Sequence, residues 1–348
     1  MKSRQQRRIV YFLGAGASLG AGASAPVQGG GAIPIPTQAT FWETFLRFCH
    51  SDNNRRKIES FLFRYFLGYQ KVPSRLRPQD RRRLLQPIDV EEVFTFLSER
   101  NTAPGIAPQF QSYTKDVWSA LLEEIGSVFG KFPPNRSTVL TYKSFRVKHL
   151  RAHDTVVSFN YDTVFERSLP KRQAWYYAGV DTDHPPQALR ILKPHGSVNW
   201  KEVRGAIQVE RAENCLHPVV VAPTHLKFVG VSAAGQDGLP SIVGYLNQSK
   251  QIADVWGRME KEMKEAKAWV FIGYSFPPSD LYFSSVMRST LATRTSDPLV
   301  AVVNPDSMAI SRRLRERFAI ASARIKAYAD LQTFNQINRA QLLTLNGV

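Results

Sequence analysis

Short runs that are apolar at nearly every position open the chain and fill its second half. Ile9-Val10-Tyr11-Phe12-Leu13 comes first; Thr155-Val156-Val157-Ser158-Phe159, Ile191-Leu192-Lys193, Val219–Ala222, Ala268–Ile272 and Leu299–Val303 follow after residue 150, and Arg324-Ile325-Lys326-Ala327-Tyr328 reads as a last strand. Uninterrupted apolar runs suit strands buried on both faces of a parallel sheet. Helical segments such as Ile252–Ala266 lie between them, the alternation of a doubly wound α/β fold. From Thr37 to about Leu150 the period changes. Phe41/Phe45/Phe48, Phe61/Tyr65, Val90/Val93/Phe94/Leu97 and Val117/Leu121/Leu122/Ile125 recur at spacings of three and four, with breaks at Pro73, Pro78, Pro87, Pro104 and Pro133-Pro134. That spacing predicts several short helices. The expected fold is therefore α/β: a Rossmann-like, doubly wound, mostly parallel sheet built from residues 1–37 and 151–330. A basic helical module at 38–150 interrupts it, and a C-terminal helix or tail at 331–348 follows.

Each predicted strand runs into a polar cluster. Gly14-Ala15-Gly16-Ala17-Ser18 follows the first, Asn160-Tyr161-Asp162 the second, Pro194-His195-Gly196-Ser197 the third, and Pro223-Thr224 the fourth. Gly273-Tyr274-Ser275-Phe276 and Asn304-Pro305-Asp306 end two more. Ligands of such folds bind beyond the carboxyl ends of the strands, so these clusters converge on one crevice. Glycines at the first turn would let the backbone approach a pyrophosphate. The dinucleotide fingerprint is incomplete, because Leu19 holds the third glycine position and Gly20 comes one residue late. Alone, the segment also suits a flexible Gly/Ala connector. Likewise His195-Gly196 alone suits a turn, and Asn160-x-Asp162 a helix cap.

Charge and cysteine content narrow the classes. The 348 residues hold 46 Lys+Arg against 29 Asp+Glu, a formal net charge of +17, which favours polyanionic partners or substrates. The excess gathers in Arg4/Arg7/Arg8, Arg55-Arg56-Lys57, Arg75/Arg77/Arg81-Arg82-Arg83 and Arg312-Arg313/Arg315. Each cluster alone also suits a solvated helix face. The two cysteines, Cys49 and Cys215, exclude a disulfide framework and a four-cysteine zinc module. Cys215 with His217 is too small a set for zinc, so no metal is expected; His225 stands close to the fourth strand end. The apolar run at Ile9–Leu13 is too short for a secretory signal, and no run reaches membrane-spanning length. A cytoplasmic protein without a membrane partner is expected.

GAGAS at 14–18, FNYD at 159–162, HGS at 195–197, GYSF at 273–276 and Val303-Asn304 stand in the order found in sirtuin-like (silent information regulator) domains, which the chain resembles. The wording FNYD and GYSFPPSD, with Phe283 beyond, is similar to the bacterial antiphage branch that hydrolyses NAD. The resemblance implies NAD as substrate and assigns roles. Gly14, Ala15, Gly16 and Ser18 would line the diphosphate; Asn160 and Asp162 would sit at the nicotinamide ribose, with His195 as the catalytic histidine. Gly273 and Ser275 would contact phosphate and ribose, and Asn304 the adenosine ribose. Thr37 would belong to the loop over the nicotinamide, although Ile-Pro-Ile-Pro departs from the usual Gly-Ile-Pro. Hydrolysis would release nicotinamide and ADP-ribose and deplete the cell of NAD. The family further implies a homo-oligomer and a partner such as an ATPase of the HerA translocase type or a short Argonaute, with the basic module as the docking surface. The alternative is a nucleic-acid-binding or scaffolding subunit that holds nucleotide structurally. A protein deacylase is disfavoured, because two cysteines cannot build the zinc ribbon such enzymes usually carry.

Overall fold

The computed structural model describes residues 8–27, 30–204, 206–210, 218–220, 249–278 and 280–344. In chain order it opens with β1 (Ile9–Leu13), α1 (Ala15–Gly20), β2 (Ser24–Pro26) and β3 (Ala32–Pro34), then a 3-10 turn at Gln38–Thr40. Six helices follow: α2 (Phe41–Phe48), α3 (Asp52–Tyr65), α4 (Pro78–Leu85), α5 (Val90–Thr102), α6 (Pro108–Gly130) and α7 (Arg136–His149). The chain then returns to strands with β4 (Thr155–Ser158), α8 (Val164–Ser168), β5 (Trp175–Tyr177), β6 (Leu189–Leu192), β7 (Trp200–Val203) and β8 (Ala206–Val209). It ends with α9 (Ser249–Glu265), β9 (Ala268–Ile272), α10 (Leu281–Thr293), β10 (Leu299–Val303), α11 (Ser307–Phe318), β11 (Ile325–Tyr328), α12 (Leu331–Phe334) and α13 (Arg339–Leu342).

Seven strands form one sheet in the order β11-β10-β9-β1-β4-β6-β5, and every pairing in it is parallel. β1, β9 and β10 are buried along their whole length, as their unbroken apolar sequences require. Phe12 of β1 stacks on Phe271 of β9 with ring centroids 4.6 Å apart. β1 lies between β4 on one side and β9 on the other. The strand order thus reverses there, where a doubly wound sheet opens its crevice. The apolar stripes of the helices are buried as their spacing predicts: Phe45, Phe61, Phe94, Leu97, Val117, Leu121 and Ile125 are fully enclosed.

Two details differ from what the sequence pattern predicts. Val219–Ala222 reads as a sheet strand, but Val220 forms an isolated antiparallel bridge with Gly196; a residue tied to the His195 turn in that direction cannot extend a parallel ladder. The sheet instead gains β5 at its edge, from an aromatic triplet whose apolar run is too short to stand out. Val221 to Thr224, Cys215, His217, His225, Arg4 and Arg7 lie outside the described residues.

The end of the sheet away from the strand-end clusters is held by ionic contacts. Asp154 accepts the backbone N–H of Ile9 at 2.9 Å and of Arg151 at 2.8 Å. It also takes both guanidinium nitrogens of Arg339 at 2.6 and 2.8 Å. Through that fork α13 is tied to β1 and β4.

Candidate active site

The β1–α1 turn and the turn after β9 are packed backbone against backbone. Gly14 N–H donates to the Ile272 carbonyl at 2.9 Å and Gly16 N–H to the Gly273 carbonyl at 3.0 Å. A Cβ on Gly14 would come within 2.6 Å of the Gly273 oxygen, and one on Gly16 within 2.9 Å of Gly273 Cα. Gly273 itself has φ +61°, and its Cβ would meet Ala17 N at 2.0 Å. The glycines are therefore required for the contact between the two turns. Gly14, Gly16 and Ala17 N–H are all committed to backbone carbonyls, which leaves Ala15 N–H as the donor of this turn for a ligand.

A cleft of about 810 Å³ lies over these turns. It brings together Gly14, Ala15, Gly16, Thr37, Asn160, Asp162, His195, Gly273, Ser275 and Asn304. Ser18 is the exception: it is 1% exposed and sits beneath the wall, where its hydroxyl donates to the Asp162 carboxylate at 3.2 Å and accepts from Asn160 Nδ2 at 3.3 Å. Asn160 Nδ2 also reaches the Gly14 carbonyl at 3.0 Å. Asp162 accepts Val164 N–H as well, at 2.9 Å. Burial is the main influence on this carboxyl and lifts its pKa to about 6; Lys193, Val164 N–H and the Ser18 hydroxyl act against it, while Glu166 adds to it.

Behind the site, Lys193 is wholly buried. Its Nζ donates to the Asp162 carbonyl at 2.5 Å and to Glu166 Oε1 at 3.1 Å. Glu166 also accepts from Tyr177 OH at 3.2 Å. Lys193 thus fastens the Asn160–Asp162 loop to the turn that carries His195. That turn needs Gly196 at φ +77°, since a Cβ there would lie 2.3 Å from the Val219 carbonyl. His195 is 6% exposed, with its ring 5.1 Å from Phe159 and 6.0 Å from Trp256. Phe159 stacks on Tyr274 at 4.9 Å, so the cleft floor below the histidine is aromatic. Phe276 holds a left-handed φ of 53°, a strain of about 1–2 kcal/mol for a non-glycine residue, offset by burial against Phe271 and Tyr274.

At the far end, Asn304 Oδ1 accepts Asp306 N–H at 2.9 Å, and Arg313 donates to the Ser275 carbonyl at 2.7 Å. Thr37 N–H donates to Thr40 Oγ1 at 3.1 Å and caps the 3-10 turn at the rim. The opposing wall comes from the helical stretch: Gln86 to Glu91 and Phe129 line the cleft. No sequence signal places them there. Asp89 before Glu91-Glu92 marks a helix start, but its spacing does not say that this start faces the strand ends.

The cleft wall is acidic. Asp89, Glu91, Asp162, Asp280, Asp306 and Asp330 line it, and among the described residues no lysine or arginine does. Several of these carboxylates cap helices: Asp89 accepts Glu91 N–H at 2.8 Å, Asp280 accepts Phe283 N–H at 3.2 Å, and Asp330 accepts Thr333 N–H at 2.7 Å. Asp280 also accepts Tyr274 OH at 2.5 Å; burial, then this carboxylate, drives the phenol pKa well above its ordinary value. The positive ends of α5, α10 and α12 thus face the cleft.

The model of the SIR2-like domain matches residues 154–328. The chain belongs to the SIR2-like domain family. No curated protein matches it. The matched range runs from the residue before β4 through β11 and so contains Asn160, Asp162, His195, Gly273, Ser275 and Asn304. SIR2-like domains are in general NAD-dependent enzymes. The donor set and shape of this SIR2-like site suit NAD: four inter-strand steps separate β6, which leads to His195, from β10, which leads to Asn304. At nearly 5 Å a step that is about 19 Å, the span of a dinucleotide. Among the described residues no cluster of three His, Cys, Asp or Glu could hold a metal, and no helix is long and apolar enough to cross a membrane.

Proposed function

We propose that this SIR2-like chain hydrolyses NAD at the nicotinamide–ribose bond, releasing nicotinamide and ADP-ribose, and that it serves as the NAD-depleting effector of a bacterial antiphage system. The observation that carries the hydrolase reading is the grouping of Asn160, Asp162 and His195 at one end of a dinucleotide-length cleft. The antiphage role rests on the resemblance of FNYD and GYSFPPSD to that branch. Residues 1–37 and 151–330 form the NAD-binding domain in this reading, with 38–150 inserted.

NAD carries its leaving group as a cationic pyridinium, so no proton has to be delivered for nicotinamide to depart. The protein's part is to orient the ribose and place a water. Asn160 is suited to orienting the ribose, because its amide is held by Gly14 and Ser18 and its carbonyl is available to a hydroxyl or water. Asp162 sets that amide through the shared Ser18 hydroxyl. His195, grouped with Asn160 and Asp162 in the cleft, accepts the proton of the attacking water. Gly14 lines the diphosphate and Ala15 presents its backbone N–H to it, while Asn304 and Asp306 meet the adenosine ribose.

Nicotinamide release from NAD, measured for the wild type, Asn160→Ala and His195→Ala, tests the reading. A loss of about 10²–10³ in turnover is expected for each, with melting temperatures near that of the wild type. Turnover unchanged in both variants would overturn the site assignment.

A further inference from the structure

The positive charge of the molecule is not at the cleft, and one part of it converges where the nearby carboxylates are already engaged. Residues 41–85 hold eleven Lys/Arg, nine of them arginine, against four Asp/Glu. Within this stretch α4 packs between two helices. Gln86, just after it, donates to Glu43 of α2 at 2.6 Å, and Arg81 pairs with Glu59 of α3 at 3.3 Å. Arg47 lies one turn after Glu43 on α2, Arg82 of α4 one turn before Gln86 and Arg55 one turn before Glu59 on α3, so these two contacts bring the three arginines to one seam. Arg55 pairs with Asp52 at 2.7 Å. Arg82 makes no hydrogen bond or ion pair among the described residues, and its Nε is shielded from solvent. Burial, then Arg47, pulls the Arg82 pKa below its ordinary value, with Arg55 adding to the effect; Glu43 and Glu59 oppose it. Glu59 is paired with Arg81, while Glu43, bonded to the neutral Gln86 amide, keeps its charge and still offsets Arg82.

We propose that the seam between α2, α3 and α4 is a binding surface for the phosphate backbone of nucleic acid. Converging guanidinium groups repel one another in the free protein, and a row of phosphates removes that repulsion. Arginine's planar fork also matches phosphate oxygens two at a time. A protein partner fits less well. The core of a protein interface is apolar, whereas exposed large apolar side chains on this stretch are confined, among the described residues, to Tyr69 and Leu84. The seam adjoins the cleft, which Phe41 and Gln86 line, but its arginines are not among the lining residues, and the proposal stands independently of the NAD reading.

Fluorescence anisotropy with a labelled duplex of about 20 base pairs, titrated with the full chain between about 50 and 200 mM salt, tests it. Binding that weakens steeply with salt is expected. In an Arg47→Ala/Arg55→Ala/Arg82→Ala variant the slope of log affinity against log salt should fall by about 3. A control of equal charge, Arg258→Ala/Arg312→Ala/Arg315→Ala, should keep the wild-type slope. Replacing the same three seam residues by lysine preserves charge and should preserve the slope, which separates loss of contact from loss of fold. Equal loss in the two alanine variants would overturn the assignment. So would absence of duplex binding at the lowest salt, or displacement of the duplex by poly-L-glutamate as effective as displacement by unlabelled duplex.

Discussion

Asp162 carries an electrostatic cost of burial. It is 4% exposed, with two hydrogen-bond donors on its carboxylate and Lys193 nearby, and burial still dominates its pKa of about 6. Because the folded value lies above the ordinary 3.8, the native state binds more protons than the unfolded state across that interval. Stability therefore falls as pH rises from about 4 to 6, by about 3 kcal/mol in all. This is the reverse of a salt-bridged surface carboxylate. Asp162→Asn should flatten the dependence of melting temperature on pH in that window and match or exceed wild-type stability at pH 7. Lys193→Met should leave Glu166 buried without its cation and cost about 3–5 kcal/mol, read from urea denaturation. Asn160, Asp162 and His195 are legible in the sequence as a group because each ends an apolar strand. Lys193 and Glu166 are not, since a buried pair joining the end of one strand to a helix after another leaves no spacing signal. Ser18 is legible as part of the turn, but its bonds to Asp162 and Asn160 depend on the tertiary approach of α1 to the loop after β4.

At the scale of elements, the site is built on two turns pressed together, and the identity of their glycines follows from that contact. Gly273→Ala should be among the most damaging single changes in the chain: the added Cβ meets backbone at 2.0 Å in a left-handed conformation, which no rotamer change can relieve. Little soluble folded protein is expected on expression. Gly257→Ala, in the exposed middle of α9 with nothing within 4 Å of the added Cβ, should instead stabilise by about 0.5–1 kcal/mol in the same denaturation assay. From sequence the glycines serve to approach a pyrophosphate; a sharp turn is common to both reasons, and only the tertiary contact distinguishes them. β1, β4, β6, β9 and β10 can all be read from their apolar runs. The connector Gln86–Asp89 cannot be assigned to the cleft wall that way, because its place depends on how α2 and α4 pack. Trp42 Nε1 donating to the Ile88 carbonyl at 3.0 Å helps to fix it.

For the whole molecule, two features lie at opposite ends of the sheet: the cleft at the carboxyl ends and the Arg339–Asp154 fork at the other. Arg339→Ala should cost about 3–5 kcal/mol, because it leaves Asp154 buried beside β1 without its cation. Faster proteolysis within residues 331–344 should accompany the loss. The central place of β1 also sets a schedule. Its partners lie around residues 155 and 268, so at 5–20 residues per second a ribosome needs roughly 13–50 s after completing β1 before β9 exists to cover its second edge. Throughout that interval Ile9–Leu13 is an apolar run open to another nascent chain. Yield of this protein should therefore respond to translation speed and chaperone supply more than its finished, fully enclosed central strand would suggest.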